Sequence, residues 1–318
     1  MAKPHVSDGD FVKLIETYGI AETSRRLKVA KRNVFSRRAN LEKKIGRQIV
    51  VPEGHRVVAG MQRVGIAHPH KTMIEATGTI IVFGDAHYWP GIVSTAHKAL
   101  IKLIKELQPS AIIANGDVFD GASISRHSPI GWESRPSVIG EIEACQERLE
   151  EIERVSKNAK LIWNLGNHDG RFETRLATVA PEYAKVHGTH LKDFFPKWRP
   201  SWSCWAGADT IIKHRYKGGV HATHNNTVFS GKNIITNHLH SLKVTPFDDY
   251  DGTRFGVDAG TLADPFGPQF EAYTEQNPTN WRSGFAVLTF HKGELLWPEL
   301  VHVRAQDEYE FRAKVYAI

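Results

Sequence analysis

Asp85 and His87 stand two positions apart at the end of the run IIVFGDAH and offer one carboxylate oxygen and one imidazole nitrogen. Such a mixed oxygen and nitrogen pair suits a divalent transition metal. The arrangement recurs along the chain. Asp117 and Asp120 close AIIANGDVFD, and Asn167, His168 and Asp169 close LIWNLGNHD. His214 ends TIIKH, while His238 and His240 end IITNHLH. One such pair is commonplace at a turn, but five apolar runs that each end in metal-type donors point to a shared site.

Elements must bring those ends together. Each run is short, apolar and rich in β-branched residues, the pattern of a buried strand. In open α/β sheets, ligands sit just beyond the carboxyl ends of the strands. Residues 92–107 carry apolar side chains at 96, 100, 103, 104 and 107, which predicts a helix between the first two strands and a right-handed βαβ unit. Residues 139–155 predict a second helix, with Ile142, Cys145, Leu149 and Ile152 on one face and its glutamates on a solvated one. A third helix is expected over 172–179. The loop 121–136, with Arg126, His127, Trp132 and Arg135, follows the second motif and is positioned for substrate contact. Residues 187–208 hold Phe194, Phe195, Trp198, Trp202 and Trp205 among Lys192, Lys197 and Arg199; ordinary core or a lid is the better reading than base stacking. The tail from Thr253 alternates strand-like runs and turns, and reads as a second sheet carrying little chemistry.

The ordered series D-x-H, GD-x-x-D, GNHD, strand-end His and H-x-H resembles the calcineurin-like metallophosphoesterase superfamily over about residues 78–305. The resemblance implies an α/β fold: a four-layered αββα sandwich of two mixed sheets with two metals at the strand ends. It further implies that Asp85, His87 and His240 hold the first ion, that Asn167, His214 and His238 hold the second, and that Asp117 bridges them. His221 and His224 are the alternatives to His214, which is preferred because it ends its apolar run. Two divalent ions are expected, Mn²⁺ first, with Fe²⁺ or Zn²⁺ as the other candidates; they would activate a hydroxide for in-line attack on phosphorus. His168 takes the family's position for protonating the leaving oxygen, and Asp120 would hold its imidazole in the useful tautomer.

Two positions depart from the family pattern. Asn237 stands where glycine usually precedes H-x-H, and asparagine tolerates the left-handed backbone expected there. Gly121 stands where the phosphatase branch carries a phosphate-clamping arginine; the nearest arginine along this loop is Arg126.

Residues 1–47 read as a separate all-α unit. Ser7 and Asp8 precede a helix carrying Phe11, Leu14 and Ile15, which Tyr18-Gly19 breaks. A short helix over 21–27, a turn at 28–30 and a third helix over 31–44 complete a pattern that resembles a helix-turn-helix module, with Val34, Leu41 and Ile45 on one face. Between Arg25 and Arg47 there are ten Lys or Arg residues and one acid, Glu42. That segment carries +9 within a whole-chain charge of +6, which leaves −3 for the remainder. Charge gathered on one small unit is the footprint expected of phosphate-backbone binding, so DNA is the expected partner. Arg32, Asn33, Ser36 and Arg37 are candidates for base edges. Arg38, Lys43, Lys44 and Arg47 complete the expected DNA surface, the last three on phosphates. Modules of this kind often work in pairs, which makes a homodimer compatible with the reading. Residues 48–77 read as a connector with short apolar runs at 57–58 and 64–66, and 78–318 as the phosphoesterase domain.

Composition sets the remaining bounds. In 318 residues, 41% are hydrophobic and 24% charged, the balance of an ordinary globular protein. Cys145 and Cys204 are too few for a disulfide framework. No apolar run reaches the ~18 residues of a membrane span, and MAKPHVSDGD lacks a signal-peptide core; a cytoplasmic protein without membrane contact is expected. Most of the 17 histidines, His97 among them, read as surface or satisfied polar groups. Three functions fit: a DNA-directed nuclease hydrolysing phosphodiesters, favoured; a protein or nucleotide phosphomonoesterase tethered to DNA by the first unit; and a non-enzymatic DNA-binding regulator, disfavoured by the full ligand set.

Overall fold

Hydrophobic alternation decides which neighbour each face of a strand meets, and here both faces are apolar. The computed structural model describes residues 6–46, 49, 69–127, 129, 131, 133–183, 186–275 and 277–318. Arg47, Trp132, His5, His55, His68 and the apolar runs at 57–58 and 64–66 lie outside those residues. The chain divides into two units, 1–66 and 67–318.

The first unit contains α1 (Asp8–Arg26) and α2 (Lys31–Ile45). Ser7 caps α1, its Oγ accepting from the Asp10 N–H at 3.1 Å. Gly19, at φ 71°, interrupts α1 where the sequence predicts a break, and Lys28 at φ 52° turns the chain into α2. Phe11, Ile15, Val34, Leu41 and Ile49 form its core. Ile45, expected on the same apolar face, is exposed, because α2 ends there.

The second unit begins inside the stretch read as connector, with β1 (Thr72–Ile74). There follow β2 (Gly78–Phe83), α3 (Thr95–Leu107), β3 (Ala111–Ala114), α4 (Val138–Val155), β4 (Lys160–Asn164) and α5 (Asp169–Val179). Next come β5 (Arg199–Ser201), β6 (Cys204–Ala206), β7 (Thr210–Ile212), α6 (Ala222–Ser230), β8 (Asn233–Thr236), β9 (Lys243–Asp249) and β10 (Gly252–Asp258). The chain closes with α7 (Glu271–Thr274), β11 (Gly284–His291), β12 (Glu294–Leu295), β13 (Glu299–Ala305), β14 (Glu308–Phe311) and β15 (Lys314–Ala317).

These strands make two mixed sheets. One runs β1-β6-β7-β8-β10-β9; the other runs β15-β14-β13-β11-β2-β3-β4-β5, with β12 on β11. Strands β2, β3 and β4 are parallel, with Ile81 beside Ile112 and Ile112 beside Leu161. Ile80, Val82, Ile113 and Ile162 pack between the sheets with Ile212, Ile235 and Val257. Ile81, Phe83, Ile112 and Trp163 face the other way, onto Leu100 and Leu103 of α3 and Ile142 and Leu149 of α4. A sheet covered on both faces needs apolar residues at every position, which explains the unbroken runs. Helix α6 packs on the other sheet, against β8, β9 and β10, completing the αββα sandwich.

Two expectations are corrected. The tail does not form one second sheet: β10 joins the six-stranded sheet, whereas β11 pairs antiparallel with β2 at the heart of the nine-stranded one. Apolar alternation fixes a strand's faces and leaves its partners open. Glu141, read as part of a solvated face, is fully buried, since the loop after β3 folds over α4 and donates the Gly121 and Ala122 N–H groups to it at 2.6 and 2.9 Å.

Candidate metal centre

Each ligand-type residue lies just past the carboxyl end of a strand. Asp85 and His87 follow β2, Asp117 follows β3, Asn167 follows β4, His214 follows β7, and His238 and His240 follow β8. Both sheets therefore contribute. Asp85, His87 and His240 form one group and Asp117, His214 and His238 another, with donor atoms within 4.8 Å of one another in each. Asp85 Oδ1 lies 3.1 Å from His240 Nε2 and 3.8 Å from His87 Nε2. Asp117 Oδ2 lies 3.1 Å from His214 Nε2, which is 3.2 Å from Asn167 Oδ1. Asp85 Oδ1 and His87 Nε2 are buried and have no hydrogen-bond partner. Buried polar atoms are ordinarily satisfied, so this donor set fits a divalent cation. His221 and His224 belong to neither group; both are exposed, and the His224 ring rests against Phe247.

The backbone is strained at five of these residues. Asp85, His87, Asp117, His238 and His240 have φ of 48°, 39°, 51°, 76° and 56°. Non-glycine residues in this region cost on the order of 1 kcal/mol or more each and persist where the surroundings over-determine them. Here they do. The Asp85 N–H donates to Gly116 O at 2.8 Å, and the His87 N–H donates to Asp117 O at 3.0 Å. The His238 N–H donates to Asp85 Oδ2 at 2.7 Å. Gly166 is required by space alone, for a Cβ there would sit 2.0 Å from Asp117 Oδ1.

Charge in the cluster is mutually balanced. Burial opposes ionisation of Asp85 and Asp117, yet their contacts with His240 and His214 hold both carboxyls well below the usual range. Burial would likewise lower His87, but its hydrogen bond to Asp120 and the nearby carboxylate of Asp85 raise it to about 10. His214 rises to about 9 against burial, through the charges of Asp117 and Asp85. His238 is lowered by burial and by the charge on His214.

Asp120 does more than the sequence predicts. Its Oδ1 accepts from His168 Nδ1 at 2.8 Å and from His87 Nδ1 at 2.7 Å. One carboxylate thus orients both a ligand-type imidazole and the residue expected to move the proton. His168 Nε2 lies 3.9 Å from Asp117 Oδ2, turned toward the centre. Arg171, missed by sequence reasoning, donates from Nη1 to Asp120 O at 2.9 Å and from Nη2 to His168 Nε2 at 3.2 Å. Its side chain packs with Phe119 against Gly121, where a Cβ would come 3.0 Å from Phe119 Cε1 and 3.3 Å from the Arg171 Cβ and Cδ. The signal was present in the i, i+3 spacing of His168 and Arg171 at a helix start.

Residues 78–259 match the calcineurin-like phosphoesterases. The chain belongs to that family. Members depend on a dinuclear metal site, and the two side-chain groups described above fit that requirement. Several solved structures are similar at low identity. An archaeal phosphodiesterase is 16% identical with a TM-score of 0.37, over 71% of this chain and 99% of that one. A protein serine/threonine phosphatase from Saccharomyces cerevisiae is 13% identical with a TM-score of 0.37, over 75% and 85%. A Pseudomonas putida nuclease is 14% identical with a TM-score of 0.29, over 69% and 86%. No curated protein matches the sequence.

Two further supports of the phosphoesterase site escaped the sequence. Asp169 accepts from the N–H groups of Asp117, Val118, Phe119 and Gly166 and from Trp163 Nε1, at 2.8 to 3.1 Å. It clamps the Asp117 turn, and burial together with the charge on Asp117 pushes its carboxyl up to about 6. Three buried asparagines form a directed chain: Asn164 Nδ2 donates to Asn115 Oδ1 at 2.9 Å, and Asn115 Nδ2 to Asn237 Oδ1 at 2.9 Å. Asn237 Nδ2 then donates to Gly260 O at 2.8 Å. Asn237 is therefore not a left-handed substitute for glycine, and φ is positive instead at His238. Its side chain ties the β8 turn to the other sheet, work that a glycine cannot do.

Of the residues expected on DNA, those that are described lie on α2. Arg32, Asn33, Ser36, Lys43 and Lys44 are exposed. Arg37 instead donates to Val6 O at 2.7 Å and Asp8 Oδ1 at 3.0 Å, and lies over the Phe11 ring. Arg38 pairs with Glu42 at 2.8 Å. Among the described residues, no helix is long and apolar enough to cross a membrane.

Proposed function

We propose that the protein is a dinuclear-metal phosphodiesterase directed at DNA. The reading rests on the segregation of charge, +9 over residues 25–47 against −3 for the remainder. A diester is the phosphate form that a nucleic-acid-binding unit would deliver. The ions, when bound, supply positive charge to the phosphoryl oxygens and acidify a water for in-line attack. The chain's own groups do the rest. Asp120 accepts the Nδ1–H of His168, so Nε2 faces the centre; once it has taken up a proton from solvent, it is the atom that passes that proton to the leaving oxygen. Arg171 Nη2 is the donor on that nitrogen in the absence of substrate; a phosphoryl oxygen competes for it, which releases Nε2 and binds the substrate at once. The loop that follows Asp120 holds a cleft of about 540 Å³ lined by Ser125, Arg126 and His127, side chains that could meet a nucleic-acid strand.

One observation favours a phosphomonoesterase as the second reading. Arg171 passes beside Gly121 and sets its guanidinium on Asp120 O and His168 Nε2, so the site still has an arginine although Gly121 stands at the phosphatase branch's position. Linear DNA, a dinucleotide and p-nitrophenyl phosphate, each with Mn²⁺, separate the two. Cleavage of the diesters is expected; intact DNA beside rapid hydrolysis of the monoester would establish the second reading.

A further inference from the structure

We infer that Trp281 and Tyr273 form a stacking platform for a nucleobase of the substrate, beside Asp85, His87 and His240. The inference rests on the phosphoesterase reading and names what flanks the scissile phosphate. Phe270 is buried, with its ring 5.1 Å from that of His87 and 5.7 Å from that of His240. The Trp281 ring lies 4.5 Å from His240 and 5.1 Å from Phe270. Tyr273 stacks on Trp281 at 5.8 Å with planes 17° apart, and 79% of it is exposed. A continuous aromatic path therefore runs from a ligand-type imidazole to solvent.

Packing around His240 accounts for Phe270 and Trp281. It does not account for Tyr273, which stacks on Trp281 and leaves most of its surface in water. A phosphate or a bare sugar gains little from an aromatic face, whereas every base has a π-surface that stacks on one. The platform is also fixed in place. The Arg282 N–H donates to His240 O at 2.7 Å, and Arg282 O accepts from the Thr261 N–H at 3.1 Å. Thr261 Oγ1 donates to Asp85 O at 2.6 Å, so both ligand turns hold the segment that carries Trp281. The exposed Arg282 adds positive charge next to the rings.

The test compares base-bearing and abasic substrates of equal phosphate content. Dithymidine phosphodiester is set against its tetrahydrofuran counterpart, and thymidine 5′-phosphate against deoxyribose 5-phosphate. Wild type is expected to show a KM about tenfold lower for the base-bearing member. Tyr273→Ala should bring the two within about twofold, and Tyr273→Phe should keep the difference. Calorimetric Kd values on the chelator-treated protein read the same ratio without turnover. Equal KM and Kd for both members in wild type, or a preference that survives Tyr273→Ala, overturns the platform. Hydrolysis confined to the monoester overturns the diesterase reading instead, and the monoester pair still judges the platform.

Discussion

Ten basic side chains crowd one short stretch of the helical unit, while the phosphoesterase unit gathers its ionisable groups in a buried convergence of strand ends. The first kind of charge is visible in composition and overstates what a partner meets. Arg37 and Lys44 pair with Asp8, Arg38 with Glu42, and Arg25 and Arg26 with Glu22, so part of the positive count holds the unit's own helices together. The second kind understates its surroundings. Asp117 is a single letter in a motif, yet its turn is held by Asp169, its carboxylate by the His168 N–H, and its neighbour Gly166 by want of space. Exposed charge acts singly and cheaply; buried charge acts as one cooperative unit.

The largest effect that sharpens this contrast is expected at Asp117. Asp117→Asn should lose bound metal and roughly a thousandfold in turnover, since several kcal/mol of charge stabilisation go with it. Metal analysis beside turnover checks this, and full activity in that variant would dissolve the proposed bridge. His168→Ala should lose on the order of 10²–10⁴-fold in turnover while metal content stays near wild type. A parallel loss of metal would assign His168 to the ligand set.

Burial of ionisable groups in the phosphoesterase unit also has a pH signature. His97 sits between the Tyr88 hydroxyl at 2.9 Å and Glu151 Oε2 at 2.8 Å, with Arg148 on the far side of Glu151. Burial outweighs the Glu151 contact and lowers its pKa from 6.5 to about 4. Because the folded value lies below the unfolded one, the unfolded chain takes up the proton first, and stability falls as pH drops from about 6.5 toward about 4. The loss is roughly 3 kcal/mol at most, and His97→Gln should flatten that limb of a urea-midpoint profile measured against pH.

The smallest effects lie on α2. Lys43→Gln should lower the salt slope of DNA binding by about one and leave the melting temperature alone. Arg37→Gln should do the reverse, costing stability of about 1 kcal/mol through its bonds to Val6 and Asp8. If both variants change the salt slope equally, the distinction between exposed and self-engaged charge fails.

Much of the site was legible because chemistry and strand ends coincide in the sequence. Runs such as IIVFGD and LIWNLGNHD announce a buried strand and name what it delivers. Most supports were not legible, for they come from elsewhere in the chain: Asn237 bonds to Asn115 and Trp281 covers His240, whereas the spacing of Arg171 from His168 was a signal passed over. Glu141 carried the opposite signal, since a glutamate within an acid-rich helix looks solvated until a loop folds over it.

By itself the amino-acid order determined the strands, the helices between them and the donor atoms, because periodicity and residue type are local properties. Only the tertiary structure decided that seven donors from two sheets meet, that five of their backbones are held at positive φ, and which neighbours clamp them. Those facts depend on contacts between residues 30 to 180 positions apart, which pairing of strands creates and no local pattern encodes.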